Sequence, residues 1–157
     1  MSDFLVVGIS DYKYARNPNV IVTYALGSCV GICLYDKQLK IGGLSHIMLP
    51  ESSMFSKNDI NRMKFADTAI PDLVQKLVQL GADRRRLTAK IAGGAQMFEV
   101  QAGSMVGTIG DRNTASVKST LQSLKIPILA EDTGLNYGRT VYFDLDTGIM
   151  KVQSLSR

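Results

Sequence analysis

Apolar, β-branched residues concentrate in three short stretches of the first third of the chain: 20–24 (Val-Ile-Val-Thr-Tyr), 30–35 (Val-Gly-Ile-Cys-Leu-Tyr) and 41–49, from Ile41 to Leu49. Each has the length of a strand, and Asp36-Lys37 supplies turn-forming residues between the second and third. The pattern predicts three strands, the last two paired as a hairpin, in a mainly β first 55 residues.

The period then changes. Phe65, Ala69, Leu73, Leu77 and Leu80 recur at steps of four, four, four and three, the spacing of one helix face, and Gly81 follows as a C-cap. Pro71 interrupts this stripe, lacking an N–H and crowding the turn before it. The stretch is therefore one helix kinked at Pro71 or two helices meeting there, and the single kinked helix is the expectation. Leu87 to Ala92 alternates and meets Gly93-Gly94, as a strand running into a turn does. A second helix is expected over Thr114 to Leu124, capped by Asp111 or Asn113, with Val117, Leu121 and Leu124 facing inward. Residues 139–145, the turn Asp146-Thr147-Gly148 and residues 149–152 form a hairpin. The class is α+β: two principal helices packed on mixed, mostly antiparallel sheets.

Composition bounds the rest. A chain of 157 residues, 45% hydrophobic and 20% charged, has the size of one domain, and residues 1–157 are read as one unit. That apolar content excludes a disordered chain, and a core of this size needs no disulfide or metal as a staple. Cys29 and Cys33, four positions apart, are not a secreted disulfide framework. The N-terminus has no basic start followed by a long apolar run, and no stretch nears the ~20 apolar residues of a membrane span. A cytoplasmic protein without membrane insertion is expected. The net charge is +4, and its densest run, Arg84-Arg85-Arg86, is not interleaved with aromatics. It is read as a solvated face rather than a nucleic-acid surface.

Candidate chemistry centres on Cys29 and His46, the latter the one histidine of the chain. A cysteine at its ordinary pKa of ~8.5 is only a few per cent thiolate at neutral pH, so a nucleophilic one needs a base beside it. Folding the 30–35/41–49 hairpin about its turn brings residue 46 near residue 30 and makes Cys29 and His46 cross-strand neighbours. Gly27-Ser28 gives a tight turn, so the backbone N–H groups of Ser28 and Cys29 are oxyanion-hole candidates. Thr23, at the end of its strand, offers a hydroxyl or carbonyl to orient the imidazole. The same residues also fit a structural role: a buried cysteine is a small hydrophobe, and Cys33, within an apolar strand, is read as core.

Other motifs carry less. Cys29, Cys33 and His46 supply at most three ligands at unconvincing spacing, so no metal is expected. Asp-Thr-Gly occurs at 132–134 and 146–148, but the second copy is a hairpin turn, which argues against a paired-aspartate protease. Gly42-Gly43, Gly93-Gly94 and Gly107-Thr108-Ile109-Gly110 match no nucleotide-binding fingerprint and are read as tight turns and close backbone packing.

Several segments in order resemble one known family, the CheD chemoreceptor glutamine deamidases: Leu26-Gly27-Ser28-Cys29-Val30, Gly43-x-x-His46-x-Met48-Leu49-Pro50, Ala66-Asp67-Thr68-Ala69, Lys90-Ile91-Ala92-Gly93-Gly94-Ala95-x-Met97-Phe98, Ile109-Gly110-x-Arg112-Asn113 and Ala130-Glu131-Asp132-Thr133-Gly134. The resemblance runs from about residue 5 to the end. It implies an α/β sandwich similar to the catalytic domain of deamidating cytotoxic necrotizing toxins. It also implies a cytoplasmic enzyme of bacterial chemotaxis that converts glutamine side chains of methyl-accepting chemoreceptors to glutamate. The family's catalytic Cys, His and Thr fall on Cys29, His46 and Thr23, no cofactor is implied, and a CheC-type phosphatase is an implied partner. Leu135 departs from the family, which more often has glycine there.

The implied chemistry is acyl transfer through a thioester, with His46 as general base and acid. The substrate glutamine would lie on a receptor helix docked by its face. One alternative is a non-catalytic module that acts by binding the CheC-type phosphatase. Another, a Cys29–Cys33 redox pair, is poor, because four strand residues span about 13 Å, beyond the ~7 Å bridging limit.

Overall fold

The computed structural model describes residues 4–54, 61–97 and 108–155. Among these residues, nine strands and two α-helices follow one another as β1 (Phe4–Val6), β2 (Asp11–Arg16), β3 (Val20–Leu26), β4 (Val30–Asp36), β5 (Ile41–Ile47), α1 (Ala66–Leu80), β6 (Thr88–Gly93), α2 (Ile109–Ser123), β7 (Ile128–Thr133), β8 (Arg139–Asp144) and β9 (Met150–Ser154). They form a four-stranded sheet, β1-β3-β8-β9, and a five-stranded sheet, β2-β5-β4-β6-β7. Among the strand pairings of the described residues, β1/β3 and β6/β7 are parallel and the rest antiparallel. This is the mixed, mostly antiparallel α+β sandwich that the sequence predicts.

Three layers result. Side chains from one face of β4, β5 and β6, among them Ile32, Leu34, Ile41, Ile47 and Ile91, pack on α1 and α2 through Leu73, Leu77, Val117 and Leu121. The opposite face contributes Cys33, Tyr35, Leu44 and Ala92 to a second core, shared with Ile21, Leu26, Val141 and Phe143 of the other sheet. β4 and β5 are buried on both faces, so every residue of each is buried. Their sequences accordingly read as largely apolar runs, interrupted by Ser45 and His46 in β5, rather than alternating ones.

α1 runs unbroken through Pro71 and ends at Gly81, whose N–H bonds to the Val78 carbonyl. The two-helix alternative is thereby removed. α2 begins earlier than expected: neither Asp111 nor Asn113 is its cap. Thr108 takes that place, its hydroxyl accepting from the Asp111 N–H at 3.1 Å, and both expected caps lie inside the helix. The spacing Thr108-x-x-Asp111 is a capping signature, obscured in the sequence by Gly110 in the first turn. Val117 and Leu121 are buried, and Leu124 packs partly buried against the same core. Gly107 and Phe98, both part of motifs named above, lie outside the described residues.

Arg84-Arg85-Arg86 forms a short 3₁₀ turn and is only partly the expected solvated face. Arg86 reaches the fully buried Asp36 carboxylate at 2.8 Å, a bidentate tie between the end of β4 and the start of β6. No helix of the described residues is long and apolar enough to cross a membrane.

Candidate active site

His46, next to last in β5, lies opposite Gly31 of β4 and Asp11 of β2. Because paired residues share a face, its ring enters the layer between the sheets. Gly31 keeps that space open: a Cβ there would stand 3.2 Å from Leu26 and 3.7 Å from the Thr23 methyl. The expected hairpin exists with a register one residue from that inferred, since Val30 opposes Ile47. Cys29, just ahead of β4, is partly buried and packs against the same inter-sheet core.

Thr23 reaches His46 from the opposite sheet. Its Oγ1 lies 2.7 Å from His46 Nδ1 and 2.8 Å from the Val7 carbonyl oxygen. A carbonyl only accepts, so the single hydroxyl proton goes to Val7 and Oγ1 must accept from Nδ1–H. This donor count fixes the tautomer: the proton is on Nδ1, and Nε2 carries a bare lone pair. Nε2 is buried and has no hydrogen-bond partner among the described residues, so no hydrogen bond joins it to Cys29.

Burial sets the protonation of both groups. It lowers the His46 pKa to about 4, against a smaller opposing pull from the Asp11 carboxylate. It raises the Cys29 thiol above its ordinary value, opposed by the residue's own backbone N–H. At neutral pH the couple is a thiol and a neutral imidazole, not an ion pair.

The turn before β4 is held by its carbonyls, two by the turn after β6 and one by α2. Gly27 O accepts from Ala95 N–H at 2.9 Å, and Cys29 O accepts from Gly94 N–H at 2.8 Å. Between them, Ser28 O accepts from the side-chain amide of Asn113 at 2.9 Å. The Gly93-Gly94 turn can approach this closely because Gly93 has φ +110°, and a Cβ on it would collide with the Cys29 carbonyl. The close-packing interpretation of that glycine pair is correct. Asn113, on α2 and fully buried, also donates to Met48 O at 3.0 Å, beyond the end of β5. Its role at this turn had no sequence signal beyond its place in the Ile109-Gly110-x-Arg112-Asn113 segment.

Sequence reasoning also missed Arg139, a wholly buried arginine at the start of β8. It bonds Asp132 at 3.0 Å and Gly134 O at 3.0 Å, and stacks over Tyr137 with 4.5 Å to the ring centre. Asp146, the other Asp-Thr-Gly aspartate, pairs instead with Asn17 and Lys40. Leu135 occupies the left-handed region at φ +60°, a conformation glycine adopts freely, and its carbonyl accepts from Gln96 N–H at 2.8 Å. Cys33 is buried in the inter-sheet core, and both cysteines are free thiols.

A family model described as CheD chemotactic sensory transduction matches residues 48–154. Thr23, Cys29 and His46 precede that span, but the curated relatives extend across them. A protein of Syntrophomonas wolfei is 49% identical over 155 residues, covering 99% of this chain and 96% of the relative. One of Clostridium botulinum strain Hall is 54% identical over 149 residues, covering 95% and 91%. Each bears the name probable chemoreceptor glutamine deamidase CheD. The chain belongs to the CheD family.

Proposed function

We propose that this chain acts as one catalytic unit, a cytoplasmic cysteine hydrolase that deamidates glutamine side chains of methyl-accepting chemoreceptors to glutamate. Cys29 is the nucleophile, His46 the general base and acid, and Thr23 the group that orients the imidazole. The observation that carries this is the Thr23–His46 contact, which leaves Nε2 bare in the layer against which Cys29 packs. The names of the relatives supply the substrate class.

The Cys29 thiol gives its proton to His46 Nε2 as sulfur bonds to the glutamine side-chain carbonyl carbon, and the C=O electron pair moves onto oxygen. Collapse of the tetrahedral species expels ammonia, which takes the proton from His46. Water, deprotonated by the same nitrogen, then cleaves the thioester to release glutamate and the free thiol. With both groups neutral at rest, proton transfer accompanies attack, and the thiol stays protected until substrate arrives.

Family resemblance also supplies a CheC-type phosphatase as a partner, and Cys29→Ala is expected to retain that binding. The function is tested by incubating a chemoreceptor cytoplasmic fragment with the protein and measuring ammonia release and fragment mass. Ammonia with a matching amide-to-acid mass change is expected; neither change, with binding of the fragment demonstrated, contradicts the function.

A further inference from the structure

We propose that Asn113 is the positioning residue that aims the Cys29 backbone N–H at the oxyanion of the tetrahedral intermediate. The inference rests on Cys29 being the nucleophile, as proposed above. In a planar trans peptide the C=O and N–H point in opposite directions. Asn113, on α2, holds the Ser28 carbonyl toward the helix layer through a 2.9 Å hydrogen bond. The same peptide unit therefore directs the Cys29 N–H away from the helices, toward the inter-sheet layer where Cys29 and His46 reside.

The side chain is committed to donation. Both bonds run from Nδ2 to backbone carbonyls, Ser28 O and Met48 O. Turning the amide over would set its oxygen against two carbonyl oxygens, so the orientation is fixed by the partners. Oδ1 is left buried with no partner among the described residues. An unpaired buried acceptor costs free energy, and its retention fits a group kept for its two donors. Those donors also clip the turn before β4 to the segment after β5, fixing the strand ends that carry Cys29 and His46.

The neighbouring carbonyls of Gly27 and Cys29 are held by backbone N–H groups of Ala95 and Gly94. Ser28 O is the one of the three held by a side chain, and hence the one a substitution can release.

The test uses the full chain with a chemoreceptor cytoplasmic fragment, comparing wild type, Asn113→Ala and Asn113→Asp, with Cys29→Ala as control. Three quantities are read: kcat and KM for deamidation, the rate of Cys29 alkylation by iodoacetamide, and the melting curve. Alkylation occurs at a saturated carbon and forms no oxyanion, so it reports the thiol alone. Asn113→Ala is expected to lower kcat about a hundredfold, the usual effect of losing one oxyanion donor, with KM and alkylation rate unchanged. Asn113→Asp donates one proton when neutral and none when ionised. Its kcat should lie between the other two at low pH and fall further as the pH rises, a limb absent from wild type.

Equal losses in kcat and alkylation, an unchanged kcat, or an aspartate variant without its own pH limb would overturn the inference. If the alanine variant does not fold, the pH limb of the aspartate variant decides. Activity surviving in Cys29→Ala would instead remove the proposed nucleophile itself, a separate outcome.

Discussion

Thr23 Oγ1 lies 2.7 Å from His46 Nδ1, although the two residues belong to different sheets. The contact crosses the sandwich interface: β3 of one sheet fixes the tautomer of a histidine carried by β5 of the other. Thr23→Val keeps the shape and removes the acceptor. It should lower kcat about a hundredfold, in the range of general-base contributions, while Thr23→Ser retains most activity. Steady-state deamidation kinetics check this, and equal activity in the valine variant contradicts the orienting role.

Burial of a neutral His46 makes stability depend on pH with a definite sign. The group titrates at 6.5 unfolded and about 4 folded, so between those values the unfolded chain binds more protons. Its contribution is fully present above pH 6.5 and is lost as the pH falls toward 4. The whole span corresponds to about 3 kcal/mol. Urea unfolding at stepped pH should show this slope in wild type and a shallower one in His46→Gln.

A neutral resting thiol makes a further prediction. Because burial raises the Cys29 pKa, its alkylation rate should rise about tenfold per pH unit through pH 8 and show no plateau below about pH 9. Stopped-time labelling with peptide mapping at Cys29 measures this. A plateau near neutral pH would mean a thiolate–imidazolium pair at rest.

Two glycines with positive φ should behave differently. At Gly134, φ +80°, an added Cβ meets nothing within 4 Å, so Gly134→Ala carries backbone strain alone, about 1 kcal/mol. At Gly93 the added Cβ collides with the Cys29 carbonyl. Gly93→Ala should therefore lower the melting temperature more than Gly134→Ala and also depress kcat. Calorimetry and kinetics on both variants separate strain from displacement of the nucleophile.

What was legible in the sequence follows from burial. β4 and β5 are covered on both faces, so their apolar runs stand out, and α1 shows its stripe because one face meets the sheet. β1, β2 and β7 escaped notice because they are sheet edges with partly exposed, mixed sequences such as Ile-Leu-Ala-Glu-Asp-Thr in β7. Gly110 looked like loop, yet it lies in the first turn of α2, and the position takes glycine because any Cβ there would collide with the Gly94 and Ala95 carbonyls. Hairpin logic found the Cys29–His46 region from local contacts. Asn113 and Arg139 could not be found that way: each acts on backbone carbonyls far away in sequence or inside a folded loop, and no periodicity records such bonds.

Cys29-dependent deamidation is tested by intact-mass measurement of a chemoreceptor cytoplasmic fragment incubated with wild-type protein and, separately, with Cys29→Ala of verified fold. The glutamine-to-glutamate mass change is expected with wild type and none with the variant. The same change with both proteins would contradict Cys29 as the nucleophile, and no change with either, where binding is demonstrated, would contradict the deamidase function.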